Sequence, residues 1–223
     1  MSSRDTILAS IRRSLHVKGD ERIRAGIVDE RLDRSPKGVV PARGQLDAAG
    51  KLALFIEKAE GVQATIARVP TAAEVPAEVA RYLREGNLPA AIRMGSDARL
   101  AGMPWKETAL DVMSGRSHGL DLSAISHAEA AIAETGTLAL ISGPENPTTL
   151  NFLPDNHIVV LKAGDIVGDL EAIWAKIRKR HGKGAMPRTV NFITGPSRSG
   201  DIEQTILLGA HGPRALHIVV VEG

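Results

Sequence analysis

Thr137-Leu138-Ala139-Leu140-Ile141, Ile158-Val159-Val160-Leu161 and Leu216-His217-Ile218-Val219-Val220-Val221 decide the fold. Each is a short, nearly continuous apolar run, not an in/out alternation, so each predicts a strand covered by protein on both faces. Working outward, helical spacing is read around Leu52-Phe55-Ile56, over Val75–Arg84, over Leu170–Arg180 and over Ile202–Leu208. Further strands are read at Val62–Val69, Pro89–Met94, Leu110–Met113, Leu120–Ile125 and Val190–Thr194, with a helical turn at Ala128–Ala133. This alternation predicts an α/β protein with a mostly parallel sheet flanked by helices. Ile7, Leu8, Ile11 and Leu15 add an amphipathic helix at the start. Glycines, prolines and mixed charge between Val17 and Gln45 predict a poorly packed connector. The expected division is therefore an N-terminal helix and connector over 1–46 and an α/β domain over 47–223.

Composition removes several classes of function. The chain has 223 residues, 43% hydrophobic and 24% charged, an ordinary globular balance. Its 28 Lys and Arg against 26 Asp and Glu leave a formal charge of +2, too little for a strong basic field. With aromatics at 3%, the run Lys176, Arg178, Lys179, Arg180, Lys183 and Arg188 reads as a solvated helix face, and no nucleic-acid partner is expected. The absence of cysteine excludes a disulfide, a thiolate metal site, a cysteine nucleophile and a cysteine-held iron–sulfur cluster. No apolar run approaches the roughly 18 residues of a membrane helix, and no signal pattern opens the chain, so a cytoplasmic protein is expected. His118, His127, His181, His211 and His217 show no metal-ligand spacing, and neither metal nor cofactor is expected; His127-Ala128-Glu129 lacks the cysteine pair a deaminase would need.

Chemistry is sought in the loops that leave the strands, because ligands of open α/β sheets bind beyond the carboxyl ends of the strands. Gly195-Pro196-Ser197-Arg198-Ser199-Gly200-Asp201 joins the Val190–Thr194 strand to the expected helix. Its glycines, hydroxyls and arginine, with a helix N-terminus behind them, suit a phosphate or carboxylate. Asp201 and Ile202 stand where a P-loop needs Lys and Ser/Thr, and Ser199 replaces the closing glycine of a nucleophile elbow. The plainer alternative is a capped turn, with Asp201 and Glu203 complementing the helix dipole.

Glu134-Thr135-Gly136-Thr137 places a carboxylate and two hydroxyls about a glycine. Glu134, desolvated beside the following strand, would suit a general base or nucleophile, with Thr135, Gly136 and Thr137 binding the ligand; alternatively it is a surface residue or the partner of a basic side chain. Gly143-Pro144-Glu145-Asn146-Pro147 is stiff enough to form a pocket wall. His157 could position a carboxylate or simply hydrogen-bond to backbone.

Four segments carry a resemblance. Glu134-Thr135-Gly136-Thr137-Leu138, Pro154-Asp155-Asn156-His157-Ile158-Val159-Val160, Gly195 through Glu203, and Gly212-Pro213-Arg214-Ala215-Leu216-His217 resemble, in order and spacing, the lactate-utilisation protein C family with its LUD domain. Ser199-Gly200 stand where that family commonly has Thr-Ala. The resemblance implies a fold similar to the glucosamine-6-phosphate deaminase, ribose-5-phosphate isomerase and CoA-transferase group. It also implies a role in oxidation of L-lactate to pyruvate beside separate iron–sulfur proteins. The chain would then be a non-redox component that binds a small anionic metabolite or organises the complex. The alternatives are a stand-alone isomerase or transferase acting through Glu134 on a phosphorylated or CoA-linked metabolite, and a non-catalytic sensor or scaffold.

Overall fold

The computed structural model describes residues 2–19, 21–202 and 205–223, apart from the side chains of 200–202, 205 and 206. Two units are distinguished, residues 1–39 and 40–223. In the first, helix α1 (Ser3–Ser14) starts at a reciprocal cap in which the Asp5 amide donates to Ser2 Oγ and the Ser2 amide to Asp5 Oδ2. Within the stretch read as a connector, Arg22–Arg34 forms a second helix, α2, closed by left-handed Ser35. Neither helix buries a residue, and the Ile7, Ile11 and Leu15 stripe is exposed.

The second unit is built on a six-stranded, wholly parallel sheet. Its strands are β1 (Thr65–Val69), β2 (Ala91–Met94), β3 (Asp111–Ser114), β4 (Ser123–His127), β7 (Asn156–Lys162) and β12 (Ala215–Val221), in the order β1-β12-β7-β4-β2-β3. Burial on both faces explains the apolar runs: Ile158, Val160, Val219 and Val221 pack on helix α4 (Val75–Glu85). Val159, Leu161, Ile218 and Val220 face the opposite core with Phe55 and Ala59 of helix α3 (Ala48–Gly61). Short helices α5 (Ala98–Ala101) and α6 (Thr149–Phe152) sit in the connections.

A second sheet of four strands covers that opposite core, in the order β8 (Ile166–Val167), β5 (Ala130–Ile132), β6 (Thr137–Ile141) and β9 (Val190–Ile193). Leu138 and Leu140 point into the shared core, while Ala139 turns outward to Ile173 and Ile177 of helix α7 (Leu170–His181). The expected helical turn at 128–133 is thus strand β5. Its alanines are buried between two cores and their backbone pairs antiparallel with β6, which overrides their helix propensity.

The expected helix over 202–208 is also absent. Strands β10 (Arg198–Ile202) and β11 (Thr205–Leu208) form an antiparallel hairpin with an irregularity between Ser199 and Ile202. No helix N-terminus therefore stands behind the Gly195–Arg198 loop, and neither the dipole argument nor the capped-turn alternative applies. Glu203, expected in that helix, lies outside the described residues. Among the described residues no helix is long and apolar enough to cross a membrane.

Candidate functional site

Two bends rest on the carboxyl end of α3. Gly136, in the β5–β6 turn, has φ +66°, and a Cβ there would stand 2.5 Å from the Ala59 nitrogen. Gly195, following β9, has φ +73°, and its Cβ would collide with the Val62 carbonyl. Glycine is required at both positions by close packing and by a left-handed backbone. A hydroxyl chain ties the bends together: Thr135 Oγ1 lies 2.7 Å from Thr137 Oγ1, which lies 2.7 Å from Thr194 Oγ1. Thr135, Gly136 and Thr137 are therefore brought beside the Gly195 loop.

That loop lines a cavity of about 370 Å³. Thr194, Gly195, Pro196, Ser197 and Arg198 form one wall, facing Phe152, Phe192 and the His211-Gly212-Pro213 segment. The Ser197 amide donates to the Pro213 carbonyl at 2.8 Å, the Gly209 amide to the Ser197 carbonyl at 2.9 Å, and the His211 amide to Ser197 Oγ at 3.3 Å. Arg198 reaches along the rim, its Nη2 donating to the Val62 carbonyl at 2.7 Å. Ser199, which is buried, and Gly200 continue into β10.

The floor carries residues that sequence reading undervalued. His157 is 1% exposed, and its Nε2 meets Ser126 Oγ at 3.1 Å, a side-chain partner in place of the expected backbone one. Ser126 in turn donates to Asn151 Oδ1 at 3.0 Å. Asn151 and His157 both line the cavity, and Asn151 Nδ2 and His157 Nδ1 are buried without a hydrogen-bond partner. Burial drives the His157 pKa down to about 3, so the ring is neutral near pH 7.

Glu134 stands apart from the cavity wall. It is 8% exposed, and its Oε2 accepts from Arg43 Nε at 3.3 Å, the ion-pair alternative read from the sequence. The cavity also lies at the amino ends of β7 and β12, where His157 and Leu216 begin their strands, and not at the carboxyl ends expected for an open α/β sheet. The reason is that β6 and β9 belong to the covering sheet, antiparallel to each other.

The carboxyl ends open onto a second cavity, of about 320 Å³. Here Gly143, Pro144, Glu145 and Asn146 do form a wall, facing Asp97, Arg99, His127, Glu129 and Arg180. Arg99 Nη2 pairs with Asp97 at 2.6 Å, and Arg180 pairs with Glu129. Burial raises and the Arg99 bonds lower the Asp97 pKa, the bonds prevailing. His127 Nδ1–H donates to the Ala128 carbonyl at 2.7 Å, and burial with nearby Arg99 lowers its pKa despite that bond. The placement of His127 and Glu129 where β4 ends was the available signal for this cavity.

Comparison with known proteins agrees with the architecture. A lactate utilization protein C from Geobacillus thermodenitrificans is 40% identical over 100 residues, covering 44% of this chain and 42% of the relative. One from Halalkalibacterium halodurans is 31% identical over 118 residues, covering 52% and 51%. The chain thus spans about half the length of these curated relatives or less. A crystal structure of a DUF162 family protein from Deinococcus radiodurans superposes with a TM-score of 0.56 at 27% identity, covering 79% of this chain and 99% of that one. Because the LUD domain family matches residues 52–221, from α3 to the last residue of β12, the chain belongs to the LUD domain family.

Proposed function

We propose that this chain is a non-redox component of an L-lactate utilisation system, binding a small organic anion in the cavity beside Gly195–Arg198. The observation that carries the reading is the cavity itself, with a guanidinium at the rim and hydroxyls and backbone along one wall. The relatives named for lactate utilisation supply the metabolic setting. Without cysteine the chain holds no thiolate-ligated cluster, so electrons from lactate pass through separate iron–sulfur proteins. Ser197 and Thr194 line the wall, with Thr137 and Thr135 behind Thr194, and Arg198 neutralises the carboxylate. The alternative isomerase or transferase reading through Glu134 has less support, since that carboxylate is held by Arg43 outside the cavity wall.

Calorimetric titration of the full chain with L-lactate, pyruvate, a sugar phosphate and a CoA ester tests the proposal. Saturable binding of a small carboxylate is expected, weakened about tenfold or more by Arg198→Ala and unchanged by Arg180→Ala in the second cavity. Absence of binding by all four would refute an anion site. Co-purification of iron–sulfur proteins with the tagged chain from lactate-grown cells tests the partner half.

A further inference from the structure

The second cavity stands where the parallel sheet changes direction. In the order β1-β12-β7-β4-β2-β3, the chain leaving β2 runs outward to β3, while the chain leaving β4 runs the opposite way to β7. Neighbouring strands with diverging connections leave a crevice at their carboxyl ends, the place where open α/β sheets take ligands. Asp97 and Arg99 follow β2 there, and His127 is the last residue of β4. His127 is 3% exposed, and because its Nδ1 proton goes to the Ala128 carbonyl, the neutral ring keeps a bare lone pair on Nε2. That nitrogen has no partner among the described residues, yet it is not enclosed, and it opens onto the cavity. The charges are ordered by depth. Side-chain exposure is 7% for Asp97 and 11% for Glu129, against 38% for Arg99 and 51% for Arg180. Arg99 donates to Asp97 through Nε and Nη2, whereas Arg180 engages Glu129 through Nη1 and has no other bond among the described residues.

We propose that this cavity is a second ligand site and that it takes an α-amino acid as the zwitterion, ammonium inward and carboxylate at the mouth. The ammonium donates to His127 Nε2 and lies against the deep carboxylates of Glu129 and Asp97. The carboxylate accepts from Arg180 Nε and Nη2, the nitrogens that Glu129 does not occupy. A ligand without the amino group gives the histidine lone pair no donor and sets its own anion against two buried carboxylates. One without the carboxylate brings a cation past two guanidiniums and neutralises neither. The site does not depend on the anion reading of the Gly195 cavity, which opens at the other end of the strands.

Calorimetric titration of the full chain with L-alanine, L-leucine, L-glutamate and L-lysine tests this, and saturable binding of at least one is expected. For the tightest of them, the acid lacking the amino group and the amine lacking the carboxylate are each expected to bind about tenfold more weakly. Arg180→Ala, a change at a half-exposed side chain, is expected to weaken the amino acid about tenfold, and saturating L-lactate to leave its isotherm in place. Nitrogen-15 spectra of the unmodified protein supply a readout independent of any variant: the His127 Nε2 resonance shifts on adding the amino acid. No binding of any of the four overturns the proposal and leaves the Gly195 cavity untouched, while failure of L-lactate to bind anywhere leaves this proposal standing. Equal affinity for the acid or for the amine overturns the zwitterion. Displacement by L-lactate, or an Nε2 resonance that stays in place, takes the amino acid out of this cavity and overturns the site.

Discussion

His157 and His217 occupy adjacent strands of one parallel sheet, both nearly inaccessible, yet their surroundings are opposite in kind. His217 faces α4 and is fully engaged. Its Nδ1 meets Thr65 Oγ1 at 2.8 Å, its Nε2 meets Glu78 Oε1 at 3.3 Å, and its ring stacks on Tyr82 with centroids 4.1 Å apart. His157 faces the other side, and one of its two nitrogens has nothing to bond. Burial alone therefore does not mark a functional histidine. What separates the two rings is the unmet nitrogen of His157, a state that a fold normally avoids by pairing.

The largest test of this contrast is acid stability. The folded pKa of His157 is about 3 against an unfolded value near 6.5, so between those limits the unfolded chain binds the extra proton and stability decreases as the pH is lowered. The loss attributable to this residue accumulates as pH drops below the unfolded value and is complete near the folded one. Urea unfolding at pH 7, 6 and 5 should show a slope that His157→Gln flattens strongly. For His217, burial lowers the pKa while Glu78 opposes the shift, so His217→Gln should flatten the slope less. Equal slopes in the two variants would erase the distinction.

Next in size is Gly136→Ala. It forces a side chain into a left-handed backbone against α3 and should cost about 3 kcal/mol by urea unfolding, while also weakening anion binding through the threonine chain. His217→Phe keeps the stack on Tyr82 but strips the partner from Thr65 and Glu78. About 2 kcal/mol of destabilisation is expected, with lactate affinity unchanged in the same titration. The smallest effect is that of Thr194→Val, which breaks the link to Thr137 and should cost about 1 kcal/mol, with a modest loss of affinity.

What could be read in advance follows from how far apart in the chain the cooperating residues lie. The runs at 137–141, 158–161 and 216–221 are visible as strands because each is buried on both faces. The same property hid that the first belongs to a different, mixed sheet in which it runs antiparallel to both neighbours, since a strand covered on both faces reads alike in either. Ile202–Leu208 is too short for periodicity to separate two helical turns from one arm of a hairpin. The Gly-Pro-Ser-Arg loop was recognisable from its glycine and turn residues, and it does line the cavity. The floor was not recognisable: Ser126, Asn151 and His157 are joined only once β4, α6 and β7 come together. Glu134 drew attention as a lone carboxylate because its partner Arg43 lies 91 residues earlier.

Ser126 and His127 are consecutive in β4, and successive side chains of a strand leave on opposite faces. One peptide unit thus separates the serine that bonds His157 from the histidine that lines the charged second cavity. A substitution that shifts this stretch of β4 therefore disturbs both surroundings at once, and an effect seen at one cavity calls for a control at the other.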